Sequence, residues 1–557
     1  MFVGIDVGGT YTDAVLLENN RVRAIAKVPT RADLIDSLTE AVDTIIKDAD
    51  KKKVKRIVFS TTIITNLIAE RKYQDVDLLI IPGPGLSHDF YRNMPYAHII
   101  PGAIDYRGRE ILSLKEQEIE TALREIAAKG AKKVGVVGKF SPRNTSHEKQ
   151  VAEIIHNKYP GWQVELGSKI GSQLNFPRRV VTTYLTCATR EPYHYFIDSV
   201  RQALNSREIN ADVYILKADG GTAPLKRSEE FPVETIFSGP AASTLGVQAL
   251  TGPGETAVVV DIGGTTTDLA LILSGQPLLS AKGARVMEQL TQVRTLAVKS
   301  VAIGGDSVLS RTGNDINIHS QRKGQAYCLG GPAPTPTDAL RVMGLTDLGD
   351  RVKAAEAMAL LGEGLNISAE EVAGRVVTRV VDSITAEIKR MFIEWEQEPA
   401  YRVWEILHKH TVKPTIVAGV GGGAAGFSAR IAEKLGCRSV IPKYASVANA
   451  IGAALAKPTL QVNLRADTEQ GYYIIQEEGR QEKINDRQFN INKALEMAKD
   501  SLVKRALKYG LELPAGEIEV TRQEVFNMIR GWDTTGRLYD ITVQTPRGIM
   551  ARIGAGE

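Results

Sequence analysis

Residues 5–17 read IDVGGTYTDAVLL, and residues 260–272 read VDIGGTTTDLALI. Each copy carries an Asp, an apolar residue, Gly-Gly-Thr, one variable position, Thr-Asp and then an apolar run. The leading carboxylates, Asp6 and Asp261, lie too far apart for a solenoid repeat, and the spacing fits two halves of one enzyme. In both copies a β-branched strand runs into a Gly-Gly turn and returns as a second strand. Glycine there lets backbone N–H groups approach a ligand, and threonine hydroxyls add donors, so the turn suits a phosphate. One such turn reads as an ordinary hairpin. Two copies, each flanked by aspartates, read as a phosphate site with two jaws.

Working outward, the chain has 557 residues, room for roughly three or four domain-sized units. Hydrophobic residues make up 43% and charged residues 24%, as in an ordinary globular protein. The net charge of +4 is spread along the chain, which argues against nucleic-acid binding. The start MFVGIDVGG has no basic segment leading into a long apolar one, and no stretch approaches a membrane span. Cys187, Cys328 and Cys437 form no CxxC pair and read as small buried hydrophobes. A cytoplasmic protein without membrane contact is expected.

Strand and helix patterns alternate after the first hairpin, at 55–72, 76–85, 113–130, 132–140 and 146–161, which implies βαβ units and a largely parallel sheet. Residues 176–207 read as a long helix after a proline, 213–225 as a strand, and 237–252 as a small-residue helix opened by a Gly-Pro turn. After the second hairpin, 294–311 holds another Gly-Gly turn, 312–351 reads as a loop-dominated surface segment, and 352–411 is helical by pattern. PTIVAGVGGGAAGFSARIAEKLG (414–436) reads as strand, Gly-rich turn and helix, and 446–457 as a closely packing helix. The expected units are 1–175, 176–458 and a small C-terminal α/β unit, 459–557.

Two phosphate hairpins and a later Gly-rich strand–turn–helix fit one ligand, ATP. The hairpins would grip the polyphosphate from both sides, and VAGVGGGAAG (417–426) would seat the adenosine on bare backbone. Asp6 and Asp261 would hold a hydrated Mg²⁺, which keeps several waters and needs few carboxylates. Asp13 and Asp268 are expected to hold hairpin geometry or a water behind the metal. No GxxxxGK[ST] is present, so a P-loop is excluded, and GVGGGAAG lacks the βαβ context of a dinucleotide fingerprint.

In this order the motifs resemble the actin-like ATPase superfamily, and more narrowly the hydantoinase/oxoprolinase family. The residues that carry the resemblance are DVGGTYTD (6–13), STTIITNLIAERK (60–72), the segment 167–190, ADGGTAPL (218–225), FSGPAAS (237–243), DIGGTTTD (261–268) and VGGGAAG (420–426). The resemblance covers about residues 1–460. It implies an α/β fold of two actin-like (ribonuclease H-like) halves with a cleft between them. It also implies the ATP-using, hydantoinase A-type subunit of an enzyme that phosphorylates the carbonyl oxygen of a cyclic amide, imide or ketone. Such a subunit works beside a hydantoinase B-type partner, and a homo-oligomer is left open. On this reading Asp6, Asp261, Thr10 and Thr265 serve phosphoryl transfer, with Asp6 and Asp261 on the metal. Gly8, Gly9, Thr12, Asp13, Gly263, Gly264, Thr266, Asp268, Gly304, Gly305, Gly419, Gly421, Gly422 and Gly423 surround the nucleotide. The chain departs from the family pattern at VAIGGDSVL (301–309), where a Gly-richer loop is usual, and in its short C-terminal unit.

Other residues stay open between two readings. Asp306 either faces substrate or Mg²⁺ or stabilises its turn. Thr61, Thr62 and Asn66 either reach substrate or cap a helix. Arg178 and Arg179 either clamp phosphate or are solvated. His408 and His410, with Glu405, read as a basic surface, because i,i+2 residues do not share a helix face. His147 and His156 form no site by themselves. The rival to an enzyme is a non-catalytic ATPase module of the chaperone or reactivator type, and a small-molecule kinase is a third, weaker reading.

Overall fold

The computed structural model describes residues 1–554 apart from 32, 74, 86, 88–90, 92–93, 95, 172, 364–365, 398–411, 487 and 514. Two sheets repeat one plan. In the first, the central strand Phe2–Val7 pairs antiparallel with Tyr11–Glu18, which pairs with Arg21–Pro29. On its other side Phe2–Val7 runs parallel to Arg56–Thr61, which runs parallel to Asp212–Leu216. In the second, Ala257–Ile262 pairs antiparallel with Thr267–Leu273 and parallel with Ile416–Val420, which is followed in space by Arg438–Val440. The central strands are buried on both faces, as near-continuous Val/Ile runs with helices on each side should be. This is an α/β fold of two actin-like halves with a cleft between them.

Two helices brace the halves, Ser238–Leu250 (SGPAASTLGVQAL) and Ala448–Leu455 (ANAIGAAL). Their small residues let the backbones nearly touch. A Cβ on Gly246 would fall 2.0 Å from the Ala448 carbonyl oxygen, and one on Gly452 would fall 2.0 Å from that of Ala242. Gly4, in the first central strand, would meet the Ala450 carbonyl at 1.9 Å. Glycine at these three positions is a condition of the packing.

Between the fourth and fifth strands of the first sheet the chain builds a parallel four-stranded sheet, in the order Gln163–Leu166, Lys133–Gly138, Asp77–Ile81, Ala97–Ile99. It then returns through the long helix Phe176–Asn205, capped by the Asn175 side chain. The first sheet therefore draws Asp212–Leu216 and Thr222–Pro224 from beyond residue 175, and the expected boundary at 175/176 falls between strands of one sheet. Residues 213–225, read as one strand, are two strands and a turn, because Gly220 takes φ +78°. The segment 312–351 is more regular than its Gly and Pro content implies. It contains the strand Asp315–Arg322 and the helix Pro336–Val342, the latter started by a Thr335/Asp338 capping box.

After Pro458 a five-stranded antiparallel sheet carries the helix Ile491–Lys508 on one face. Its core residues Val462, Leu502 and Ile541 pack in one cluster with Val58, Leu216 and Ala241 of the body. No helix among the described residues is long and apolar enough to cross a membrane.

Candidate functional site

The two hairpins superpose in register as well as in sequence. Asp6 lies directly opposite Asp13, and Asp261 opposite Asp268. Each turn closes through one hydrogen bond, Gly8 N–H to the Tyr11 carbonyl and Gly263 N–H to the Thr266 carbonyl, both 3.0 Å. Each is strapped from the neighbouring strand–helix turn, by Thr62 N–H to the Val7 carbonyl at 3.2 Å and by Gly423 N–H to the Ile262 carbonyl at 3.1 Å. Gly9, Thr10 and Thr265 at the turn tips are exposed, while Asp6 and Asp13 beneath them are buried.

The bracing helices hold the two leading carboxylates. Asn449 Nδ2 donates to Asp6 Oδ2 at 2.9 Å, and Ser243 Oγ donates to Asp261 Oδ2 at 2.5 Å. Ser60, opposite Asp6 in the neighbouring strand, also stabilises the Asp6 carboxylate. Burial raises the carboxyl pKa of Asp6, and burial followed by the Asp6 charge raises that of Asp261. Burial likewise lifts Asp13 to about 6 against the pull of Lys27, and lifts Asp268 to about 7. Lys27 Nζ lies 2.7 Å from Asp13, and among the described residues no cation pairs with Asp268 in the second hairpin.

A pair of buried carboxylates with raised pKa values, set between phosphate-type turns, fits a hard divalent cation such as Mg²⁺. Among the described residues no three His, Cys, Asp or Glu side chains are grouped to hold a metal. A cation here would take most of its ligands from water and phosphate, as Mg²⁺ usually does.

The loop at 304–306 lies on the second turn: Gly305 N–H donates to the Gly263 carbonyl at 2.9 Å and Asp306 N–H to the Gly264 carbonyl at 2.8 Å. A Cβ on Gly304 would sit 2.5 Å from the Gly264 backbone, so Gly304 is fixed by packing. The Asp306 carboxylate pairs with Arg322 at 2.9 Å, and Arg322 Nη1 reaches Thr10 Oγ1 of the first turn at 3.4 Å. One guanidinium thus touches the first jaw and a loop packed on the second.

The four glycines near residue 420 divide. Gly419 lies in the strand, where a Cβ would meet Ser428 Oγ at 2.1 Å. Gly421, at φ +83°, abuts Asp261 Oδ1, and Gly423 abuts Ile262. Gly422 alone of the four faces open space. Gly419 is therefore set by helix packing and not by a ligand.

Several sequence expectations change. The partner of Thr12 by register is Thr267, not Thr266, and both hydroxyls are bound internally, Thr12 to Thr30 at 3.0 Å and Thr267 to the Ile303 carbonyl at 2.7 Å. Thr61 Oγ1 accepts the Ile63 N–H, a capping role, while Asn66 lies 3.6 Å from where a Cβ on Gly9 would stand. Arg179 is buried and staples the Gly138, Lys139 and Gln173 carbonyls, and Arg178 donates to Lys282, so neither clamps phosphate. His147 pairs with Glu110 and His156 with the Ala152 carbonyl, far from the hairpins in the fold. Glu405, His408 and His410 lie outside the described residues. Cys187 and Cys328 are buried and Cys437 is half-buried, all as free thiols.

Sequence reasoning missed Asn449, Lys27 and Arg322, and gave Ser243 no role. Asn449 is the one polar residue of its helix, and Ser243 closes the FSGPAAS motif, so both left a signal. Arg322 left none.

The hydantoinase/oxoprolinase family model matches residues 179–462, and the model of the family's N-terminal region matches residues 2–159. The caprolactamase alpha subunit of Pseudomonas jessenii is 26% identical over 505 residues, covering 82% of this chain and 70% of that one. The acetophenone carboxylase gamma subunit of Aromatoleum aromaticum is 25% identical over 449 residues, covering 70% and 60%. Two solved structures share the fold. The ATP-dependent caprolactamase from Pseudomonas jessenii has a TM-score of 0.74 at 20% identity, with 99% of this chain and 88% of that one covered. Nucleotide-free acetone carboxylase has a TM-score of 0.72 at 17% identity, with 98% and 87% covered.

Proposed function

The chain belongs to the hydantoinase/oxoprolinase family, and from that premise we propose that it is the ATP-using subunit of an enzyme that activates a carbonyl oxygen by phosphorylation. The observation that carries the reading is the pair of hairpins in identical register, with Asp6 and Asp261 held by two crossing helices. The similarity to subunits named for a lactamase and for ketone carboxylases supports a cyclic amide, imide or ketone as the substrate.

The amide carbon of a lactam or hydantoin is a poor electrophile because nitrogen donates into the carbonyl. Moving the γ-phosphoryl of ATP onto the carbonyl oxygen releases ADP and gives an imidoyl phosphate. Water then adds at carbon, and the C–N bond breaks with nitrogen leaving as the amine. A second water attacks the carbon of the resulting acyl phosphate, so that phosphate leaves with the former carbonyl oxygen. Phosphoryl transfer needs positioning and charge neutralisation more than covalent help from protein. The N–H groups at the tips of the two Gly-Gly turns, beyond the turn-closing Gly8 and Gly263, and the Thr10 and Thr265 hydroxyls would orient the phosphates. Arg322, poised beside Thr10, would offset charge on the transferring group. Bound Mg²⁺ would supply charge neutralisation at the phosphates, held through Asp6 and Asp261. Gly422 and the backbone beside it would leave room for the adenosine.

Water addition and ring opening are assigned to a hydantoinase B-type partner subunit, which accords with relatives that are themselves named as subunits. The test is ATP turnover by the purified chain across a panel of lactams, hydantoins and ketones. A substrate should stimulate ADP release, and ring opening should await the partner. ATP cleavage indifferent to every small molecule, yet raised by a protein client, would establish the ATPase-module reading instead.

A further inference from the structure

The motif ADGGTAPL (218–225) is unused by the nucleotide reading, yet its Asp219 lines a cavity of about 150 Å³. The cavity lies where the C-terminal sheet meets the body and shares no lining residue with the two hairpins. Its floor is the turn Lys217–Gly221, closed by the Asp219 carboxylate accepting the Gly221 N–H at 3.0 Å. Gly221 is bare because Thr459 of the C-terminal segment occupies the place of its Cβ. The site therefore exists only when the C-terminal unit is docked.

Six basic side chains line this space against three acidic ones. The guanidinium of Arg294 hydrogen-bonds to the neutral amides of Gln461 and Gln544, and no carboxylate among the described residues forms an ion pair with it. Arg227 makes one long hydrogen bond with Glu234 at 3.4 Å and stacks over the Phe231 ring at 4.2 Å, and its Nε and Nη1 are buried without a hydrogen-bond partner. Arg505 Nε and Thr459 Oγ1 are buried and unpartnered as well. Orphaned buried donors are uncommon in a folded protein, and several converging on one cavity imply an acceptor that completes them. Burial works to raise the Asp219 carboxyl, and the Lys217, Arg294 and Arg547 charges with the Gly221 N–H outweigh it and hold it below its ordinary range.

We propose that this cavity binds a small oxyanion of carboxylate type, held by Arg227, Arg294 and Arg505. Guanidinium groups meet a carboxylate or carbonate through paired, charge-assisted hydrogen bonds, and three such groups on one cavity supply more donors than the protein itself satisfies. The size limits the ligand: a cavity near 150 Å³ holds about a six-membered ring, so a polypeptide or nucleotide is excluded. A wider opening of about 850 Å³ shares Lys169, Glu477 and Arg505 with the cavity and gives a route from solvent. Inorganic carbon, an organic carboxylate and phosphate share the chemistry that would be recognised here. The proposal does not rest on the ATP reading, since it involves none of those residues.

The test is calorimetric titration of the full chain with acetate, benzoate, bicarbonate and phosphate in turn, at ionic strength held constant with chloride. At least one should bind saturably at one site per chain, and which one does identifies the source. Arg294→Gln and Arg505→Gln should each weaken that binding at least about tenfold, as loss of a hydrogen bond to a charged group does. Both variants should keep the nucleotide affinity of the parent chain, which separates a failure of this proposal from a failure of folding or of the ATP reading. Heats that never saturate, or affinity unchanged in both variants, would overturn it. Should both variants misfold, Arg227→Lys decides: it keeps the charge and loses the fork, and equal affinity in that variant also overturns the proposal.

Discussion

At the residue scale the account turns on carboxylates whose surroundings resist their charge. Asp6 and Asp261 are held by neutral groups, Asn449 and Ser60 at Asp6 and Ser243 at Asp261. If they hold the metal–phosphate site, Asp6→Asn and Asp261→Asn should each lower ATP turnover by at least ~10²-fold with circular dichroism unchanged, comparable to deleting one oxyanion donor. Normal turnover in both would break the duplicated-hairpin account. Asp268 gives a pH test with a definite sign. Burial, reinforced by the Asp261 charge, lifts it from 3.8 to about 7, so the folded protein binds this proton more tightly than the unfolded chain. Its contribution to stability is complete below about pH 4 and is lost as pH rises through about 7. Across that window the melting temperature of nucleotide-free Asp268→Asn should fall less with rising pH than that of the parent. Parallel pH profiles would show that Asp268 is not the group that titrates.

At the scale of elements, much was legible because local chemistry and tertiary role agree. The hairpins announce themselves by repetition, and the helix Phe176–Asn205 by the proline in its first turn. The bracing helices are marked by runs of Gly and Ala, which pack only by close backbone approach. The sequence reading sets Thr266 at the nucleotide, although the shared motif already aligns Thr267 with Thr12 and the Asp261–Asp268 pairing fixes that register. What was hidden depends on pairing across the chain. Gly and Pro at 312–351 masked a strand, and with it Arg322, whose partners Thr10 and Asp306 are distant in sequence. The glycine turn was found as a unit, but its members differ, and that difference is testable. Gly422→Val should weaken ATP binding at least about tenfold by calorimetry and leave the apo melting temperature within about 2 °C, since its side chain enters open space. Gly419→Val should do the reverse, lowering stability by about 1–3 kcal/mol through overpacking against Ser428. Equal effects at both positions would remove the adenosine seat from this turn.

At the scale of the whole molecule, two actin-like halves share a floor of crossed helices, and a C-terminal sheet is welded to the first half through a common core. Both jaws can engage one polyphosphate only if the halves stay in register. The contact of Arg322 with Thr10 and Asp306 shows how near the two turns already stand. The account makes the carbonyl oxygen of the substrate the acceptor of the γ-phosphoryl group, and that oxygen can be followed. A substrate that stimulates ATP cleavage is prepared with oxygen-18 in its carbonyl, and the phosphate released by the chain with its partner subunit is analysed by mass spectrometry. One labelled oxygen per phosphate is the predicted result. Unlabelled phosphate, with the label retained in the organic product, would contradict carbonyl phosphorylation.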